Sequence, residues 1–163
     1  MHARARAMGH AIHPVLIPFP LGLLTTAAIF DVIHLFTDTA ELAEASFYMI
    51  AAGVVGGLVA AVAGLADWTG IPTGTRAKRV GAVHGLGNVV VVALFAVSWL
   101  LRLGETDHEP ATVAVVLSIA GAALSGVTGW LGGELVERLG IAVDEGAHPD
   151  APSSLSGRPA TGS

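Results

Sequence analysis

Four long apolar runs, at about residues 12–36, 47–66, 80–101 and 111–131, alternate with short polar connections along the chain. About 20 residues at 1.5 Å each cross a hydrocarbon core of roughly 30 Å, so each run predicts a membrane-spanning helix. Together they predict an all-α fold, an integral membrane four-helix bundle. The first run opens with Pro14, Pro18 and Pro20. Prolines remove hydrogen-bond donors and restrict the residues before them, so helix 1 is expected to have a kinked, Pro-containing start and to run straight from about Pro20. Irregular backbone at that depth must be covered by protein or water, which points to a site near that end. Gly53, Gly57, Ala60 and Gly64 on the second run, and Gly121, Ser125, Gly129 and Gly133 on the fourth, make small-residue faces suited to close helix contact.

The flanks differ in kind. Residues 1–11 form a short basic segment with Arg4 and Arg6, residues 12–143 the transmembrane domain, and residues 144–163 a Pro, Gly, Ser and Ala tail expected to be disordered. A secretory signal peptide would need a shorter apolar stretch than the first run, without Asp31 and His34. Arg4, Arg6, Arg76, Lys78, Arg79, Arg138 and Arg158 fall on one side of the predicted bundle, against Arg102 alone on the other. By the positive-inside bias both termini are cytoplasmic, in a multi-pass protein of the bacterial cytoplasmic (inner) membrane, with Arg102 expected to snorkel outward. Trp68, Trp99 and Trp130 are expected as interface residues.

Composition narrows the function. Of 163 residues, 53% are hydrophobic and 13% charged, with a mean hydropathy of +0.69. Soluble domains carry about 25% charged residues, so polar surface is too scarce to cover a globule in water. The absence of cysteine removes disulfides, thiolate zinc sites, iron–sulfur ligation and cysteine nucleophiles. No basic patch suggests nucleic acid, and Gly85 and Gly87 inside a membrane run are not a nucleotide loop. A stand-alone enzyme is not expected.

Polar residues then sort by depth. Near the cytoplasmic end lie His10, His13, Asp67, His84, Asn88 and Glu134; near the outer end lie Asp31, His34 and His108. Ionisable groups inside a membrane face the bundle interior and are functional candidates. His84 and Asn88 stand one turn apart on one face, and the glycines at 81, 85 and 87 let a neighbour come close. Imidazole and carboxylate suit first-row divalent ions, which makes His13, Asp67 and His84 a candidate metal set. His13 and His84 are equally candidates for the axial ligands of haem b. Asn88 would orient His84, with Glu134 as a further supporting residue. Alternatively these groups only satisfy one another and the backbone near Pro14. Asp31 and His34, three residues apart, form a secondary polar site, either a mutually satisfied pair or a fragment of a proton relay.

The pattern His13, Pro14, Phe19, Pro20, Asp31, then Gly64, Asp67, Trp68, then His84, Asn88, then Gly129, Trp130, Gly132, Gly133, Glu134 resembles the bacterial predicted membrane proteins grouped as domain-of-unknown-function family 2231. The resemblance covers about Ile12 to Val143. Many members carry a further histidine just before the Phe-Pro of helix 1, where this chain has Pro18. The resemblance implies a four-helix membrane domain. The fusion of some relatives to Rieske-type or cytochrome domains implies a redox neighbourhood.

Three functions follow as expectations. The first is a haem- or metal-binding membrane protein in a redox context, meeting a membrane redox partner or a second copy through its small-residue faces. The second is a structural or partner-binding module without cofactor. The third is a proton or ion carrier using Asp31, His34, Asp67 and His84.

Overall fold

The computed structural model describes residues 3–161; the first two residues of the basic segment and the last two of the tail lie outside it. A short antiparallel hairpin, β1 (Arg6–Ala7) and β2 (His10–Ala11), pairs Arg6 with Ala11 and Ala7 with His10. It leads into α1 (Ile12–Leu16), α2 (Pro18–Thr37), α3 (Ala40–Gly70), α4 (Arg76–Leu100) and α5 (Thr112–Gly133), which passes into one π turn over Glu134–Arg138. Taken with α1 joined to α2, four helices are long and apolar enough to cross a membrane.

Between α1 and α2, Ile17 keeps helical angles (φ −56°, ψ −39°). Its N–H reaches the carbonyl of His13, and Leu21 reaches that of Ile17. Pro18 and Pro20 have no N–H to give, so the ladder is interrupted there and resumes past them. Helix α2 ends where Asp38 turns left-handed (φ 54°) and its N–H caps the carbonyl of His34; a short acidic side chain tolerates that conformation. Helix α3 runs 31 residues, longer than the apolar run predicts. At 1.5 Å per residue it is about 46 Å long, so its ends project beyond the hydrocarbon. Glu41 sits in its first turn, where the helix dipole favours a negative charge. Helix α4 begins at a Thr75 cap, whose hydroxyl accepts the Lys78 N–H at 3.1 Å.

Helices α2 and α3 form one hairpin and α4 and α5 a second; α3–α4 and α2–α5 contacts close the ring. Helix α2 thus lies diagonally across from α4. The α2–α3 and α4–α5 loops lie at one end, called distal here; the α3–α4 loop and both described termini lie at the other, the terminal end. Leu24, Ala27, Ala28, Ile50, Val91 and Phe95 make the central apolar cluster. Phe19, Val59, Val62, Leu86, Val89 and Val127 point outward, which an apolar solvent accommodates and water does not.

The second hairpin repeats the first. The shift along the chain that carries Leu24 to Phe95 also carries His13 to His84, Ala27 to Ser98 and Asp31 to Arg102. The shift that carries Gly53 to Gly121 carries Ser46 to Ala114, Phe47 to Val115, Ile50 to Ser118, Ala60 to Thr128 and Asp67 to Leu135, and every residue of these pairs is buried. The glycines do the same work in each half. A Cβ on Gly53 would stand 2.6 Å from Leu24, and one on Gly121 would stand 2.7 Å from Phe95. The expected small-residue face of α5 is divided: Gly121 seats Phe95, whereas Gly129 and Gly133 have nothing within 4 Å. The described part of the tail consists of turns and one 3₁₀ turn at Ser154–Ser156. It lies against the β-hairpin through Arg6 with Asp144 (2.8 Å) and Ser154 with His10 (3.3 Å).

Candidate functional site

Two polar layers cross the bundle interior, one at each end. In the terminal layer His13 Nδ1 meets the carbonyl of Ala60 at 2.9 Å, and His84 Nδ1 meets that of Thr128 at 2.8 Å. A carbonyl oxygen only accepts, so each Nδ1 carries a hydrogen, and in the neutral ring Nε2 is the nitrogen left as acceptor or ligand. Both rings rest on glycine. A Cβ on Gly64 would come within 2.9 Å of the His13 ring, and one on Gly132 within 3.2 Å of the His84 ring. Each seat lies four residues after the carbonyl that anchors the ring. The ring centroids are 6.3 Å apart and the planes nearly perpendicular.

Asn88 donates to the His84 carbonyl at 2.8 Å and accepts from the Thr128 hydroxyl at 3.2 Å. Its amide nitrogen stands 3.5 and 3.3 Å from the two ring nitrogens of His84, almost equidistant and hence off the axis of either lone pair. Asn88 therefore braces the ring without consuming Nε2.

The other residues expected in this layer are engaged elsewhere. Asp67 accepts the backbone N–H of Ala5 at 2.8 Å, and Arg4 reaches Thr69 at 3.0 Å. The N-terminal segment folds back over the end of α3, and the backbone N–H of Ala5 claims one oxygen of the carboxylate. His13, Asp67 and His84 do not form a three-ligand set. Among the described residues, the group of His, Asp and Glu ligand atoms lying within 4.8 Å of one another is instead His34, Asp38 and Glu109. Glu134 accepts from Arg76 at 2.7 Å and ties α5 to the start of α4. Trp68 closes the α3–α4 loop: its indole donates to the Lys78 carbonyl, and the Lys78 ammonium lies 3.8 Å over its ring.

The distal layer overturns two expectations. Arg102 does not snorkel; it is fully buried and grips Asp31, also fully buried, through both terminal nitrogens at 2.8 and 2.6 Å. Ser46 and Ser118 donate to the two carboxylate oxygens at 2.6 and 2.5 Å, and Arg102 donates to Ser46 and Ser98 at 3.1 Å each. Asp31 and His34 do not pair with each other. Three residues leave them about 60° apart around the helix, so Asp31 faces the bundle axis while His34 turns toward Thr39 and Glu109. The serines were a signal open to sequence reasoning: Ser98 and Ser118 interrupt apolar runs, and Ser46 opens one, near the depth of Asp31 and Arg102. Trp99 stacks on Phe47 at 5.5 Å and faces the apolar cluster, so it is not a simple interface residue.

His13 to Asp31 along α1–α2, and His84 to Arg102 along α4 and the turn that follows it, are equal steps of 18 residues, about 27 Å at 1.5 Å per residue. The layers thus lie on the two sides of the apolar cluster, each joining the diagonal pair of helices across the bundle axis.

Apolar outer faces, four crossing helices and charges hidden in the interior define an integral membrane protein. The chain belongs to the family described as predicted membrane protein (DUF2231), whose model matches residues 9–145. No curated protein and no solved structure matches it.

Proposed function

We propose that this protein holds one b-type haem between His13 and His84 and carries electrons in the bacterial cytoplasmic membrane, with its terminal end facing the cytoplasm. The observation that carries this reading is the pair of imidazoles, anchored through Nδ1 on diagonal helices, with ring centroids 6.3 Å apart. His13 and His84 would hold the iron through their Nε2 atoms, from two helices that bring the rings to the same level.

Donor count favours a porphyrin over a bare ion. A lone divalent ion wants four or more protein ligands or an open water position, and Asp67 is committed to Ala5. A haem would bring most of its own donors and would need only His13 and His84 from the chain. The helices flanking the imidazole axis are α3 and α5, with Ala60 and Ser125 among their small side chains, while Gly64 and Gly132 seat the two rings themselves. When bound, the haem supplies one-electron chemistry. The chain's own residues orient the two rings through their Nδ1 bonds and exclude water with the apolar cluster above them. With His13 and His84 both holding the iron, a bound haem would supply electron transfer rather than oxygen chemistry. The open face of α5 at Gly126, Gly129 and Gly133 supports contact with a membrane redox partner or a second copy. The concentration of Arg and Lys at the terminal end supports the orientation.

The test is the absorption spectrum of the full chain purified in detergent from haem-supplied cells. A Soret band that shifts on reduction is expected, lost in His13→Ala and in His84→Ala and retained in Asn88→Ala at reduced occupancy. A colourless, metal-free preparation whose histidine variants lose only thermal stability would replace this reading with that of a structural module.

A further inference from the structure

The distal end carries a second set of ligand atoms that the haem reading does not use. His34 is 3% exposed. Its Nδ1 meets the Thr39 carbonyl at 3.0 Å and its Nε2 meets Glu109 Oε1 at 2.8 Å. Both partners are acceptors. A neutral imidazole owns one N–H, so with the hydrogen on Nδ1 the Nε2 lone pair faces a carboxylate lone pair. One N–H cannot serve both acceptors; a second proton, or a metal cation bound beside Nε2 and the carboxylate, serves both. The Asp38 carboxylate completes the set, with all three ligand atoms within 4.8 Å of one another. Asp38 is held there by the left-handed turn that ends α2.

The surrounding charge favours a cation. The distal connections hold Asp38, Glu41, Glu44, Glu105, Asp107 and Glu109. The one basic side chain of that end, Arg102, is fully buried against Asp31 and neutralises none of them. His108 stacks on Phe47 at 3.7 Å, away from the cluster. We propose that His34 Nε2, Asp38 and Glu109 bind a divalent first-row transition ion such as Zn²⁺ or Mn²⁺ at the distal membrane surface. One nitrogen and two oxygens form an open half-shell, and water fills the rest. The Thr39 carbonyl plays the orienting part that such histidines require on their other nitrogen. Because about six helical turns separate this place from the haem layer, the proposal neither needs the haem nor disturbs it.

Isothermal titration of the metal-stripped full chain in detergent with ZnCl₂ and MnCl₂ tests it. Saturable binding near one ion per chain is expected, weakened at least tenfold in His34→Ala and in Glu109→Gln and less in Asp38→Asn, with any Soret band unchanged. Glu109 is exposed, so Glu109→Gln keeps the test valid should His34→Ala fail to fold. No saturable binding up to millimolar metal overturns the proposal, as does binding that Glu109→Gln leaves intact. Nitrogen-15 shifts showing both His34 nitrogens protonated in the presence of metal overturn it too, since a proton then fills the place.

Discussion

Replacing Arg102 with Met tests whether the distal layer is a buried ion pair in the folded protein. The substitution keeps the stem volume and deletes four hydrogen bonds, two to the Asp31 carboxylate and one each to Ser46 and Ser98. Charge-assisted bonds contribute about 1.5–3 kcal/mol each, and removing one partner of a buried pair costs about 3–5 kcal/mol, because the survivor is stranded. Asp31 would keep the hydroxyls of Ser46 and Ser118 and could take up a proton, so the lower half of that range, about 3–4 kcal/mol, is expected. That is some two to three decades in the unfolding constant, readable from denaturant unfolding in detergent followed by helical circular dichroism. The double variant Asp31→Leu/Arg102→Met removes both charges and should lie within about 1–2 kcal/mol of the parent, or exceed it. The exchanged variant Asp31→Arg/Arg102→Asp should also recover most of the loss, because the two positions are equivalent in the two hairpins. A cost below about 1 kcal/mol for Arg102→Met, or exchange no better than the single change, would refute the pairing.

Three further outcomes follow from the packing. Gly64→Ala and Gly132→Ala push a Cβ to 2.9 and 3.2 Å from the histidine rings, so both should lower haem occupancy in the absorbance assay, Gly64→Ala the more; Gly129→Ala, with nothing within 4 Å, should leave the spectrum unchanged. Gly121→Ala meets Phe95 at 2.7 Å and should cost about 1–3 kcal/mol in thermal or denaturant unfolding, with Gly53→Ala similar against Leu24. Thr75→Ala removes the α4 cap and should cost about 1 kcal/mol in the same experiment, without moving any spectral band.

The four spans were legible because long apolar runs need only length and composition to declare themselves. The level of His13 and His84 was legible for the same reason, since helix rise converts residue number into depth. What crosses between helices was not. Counting basic residues by side treats Arg102 as surface charge, and nothing within its own helix reveals that Asp31 lies opposite. Asp31 has a closer sequence neighbour in His34, so local spacing favoured the wrong partner. The engagement of Asp67 depends on where Ala5 returns in space, which no pattern along α3 encodes. The repeat of the hairpins was concealed by compensation: Leu24 becomes Phe95, Asp31 becomes Arg102, and the hydroxyl of Ser46 on the second helix of one half moves to Ser98 on the first helix of the other. Few identities survive, chiefly His13 with His84, Gly53 with Gly121 and Gly64 with Gly132.

Two like halves that meet face to face always have a choice of mate, their own kind or the other. Opposite signs at 31 and 102 take that choice away. Two first halves would bring acid against acid in the dry interior, two second halves base against base, and each pays heavily for meeting itself. Only the mixed couple closes. A hidden bridge that adds little to how firmly the bundle holds can still decide, while helices are finding one another in the bilayer, which assemblies are ever formed.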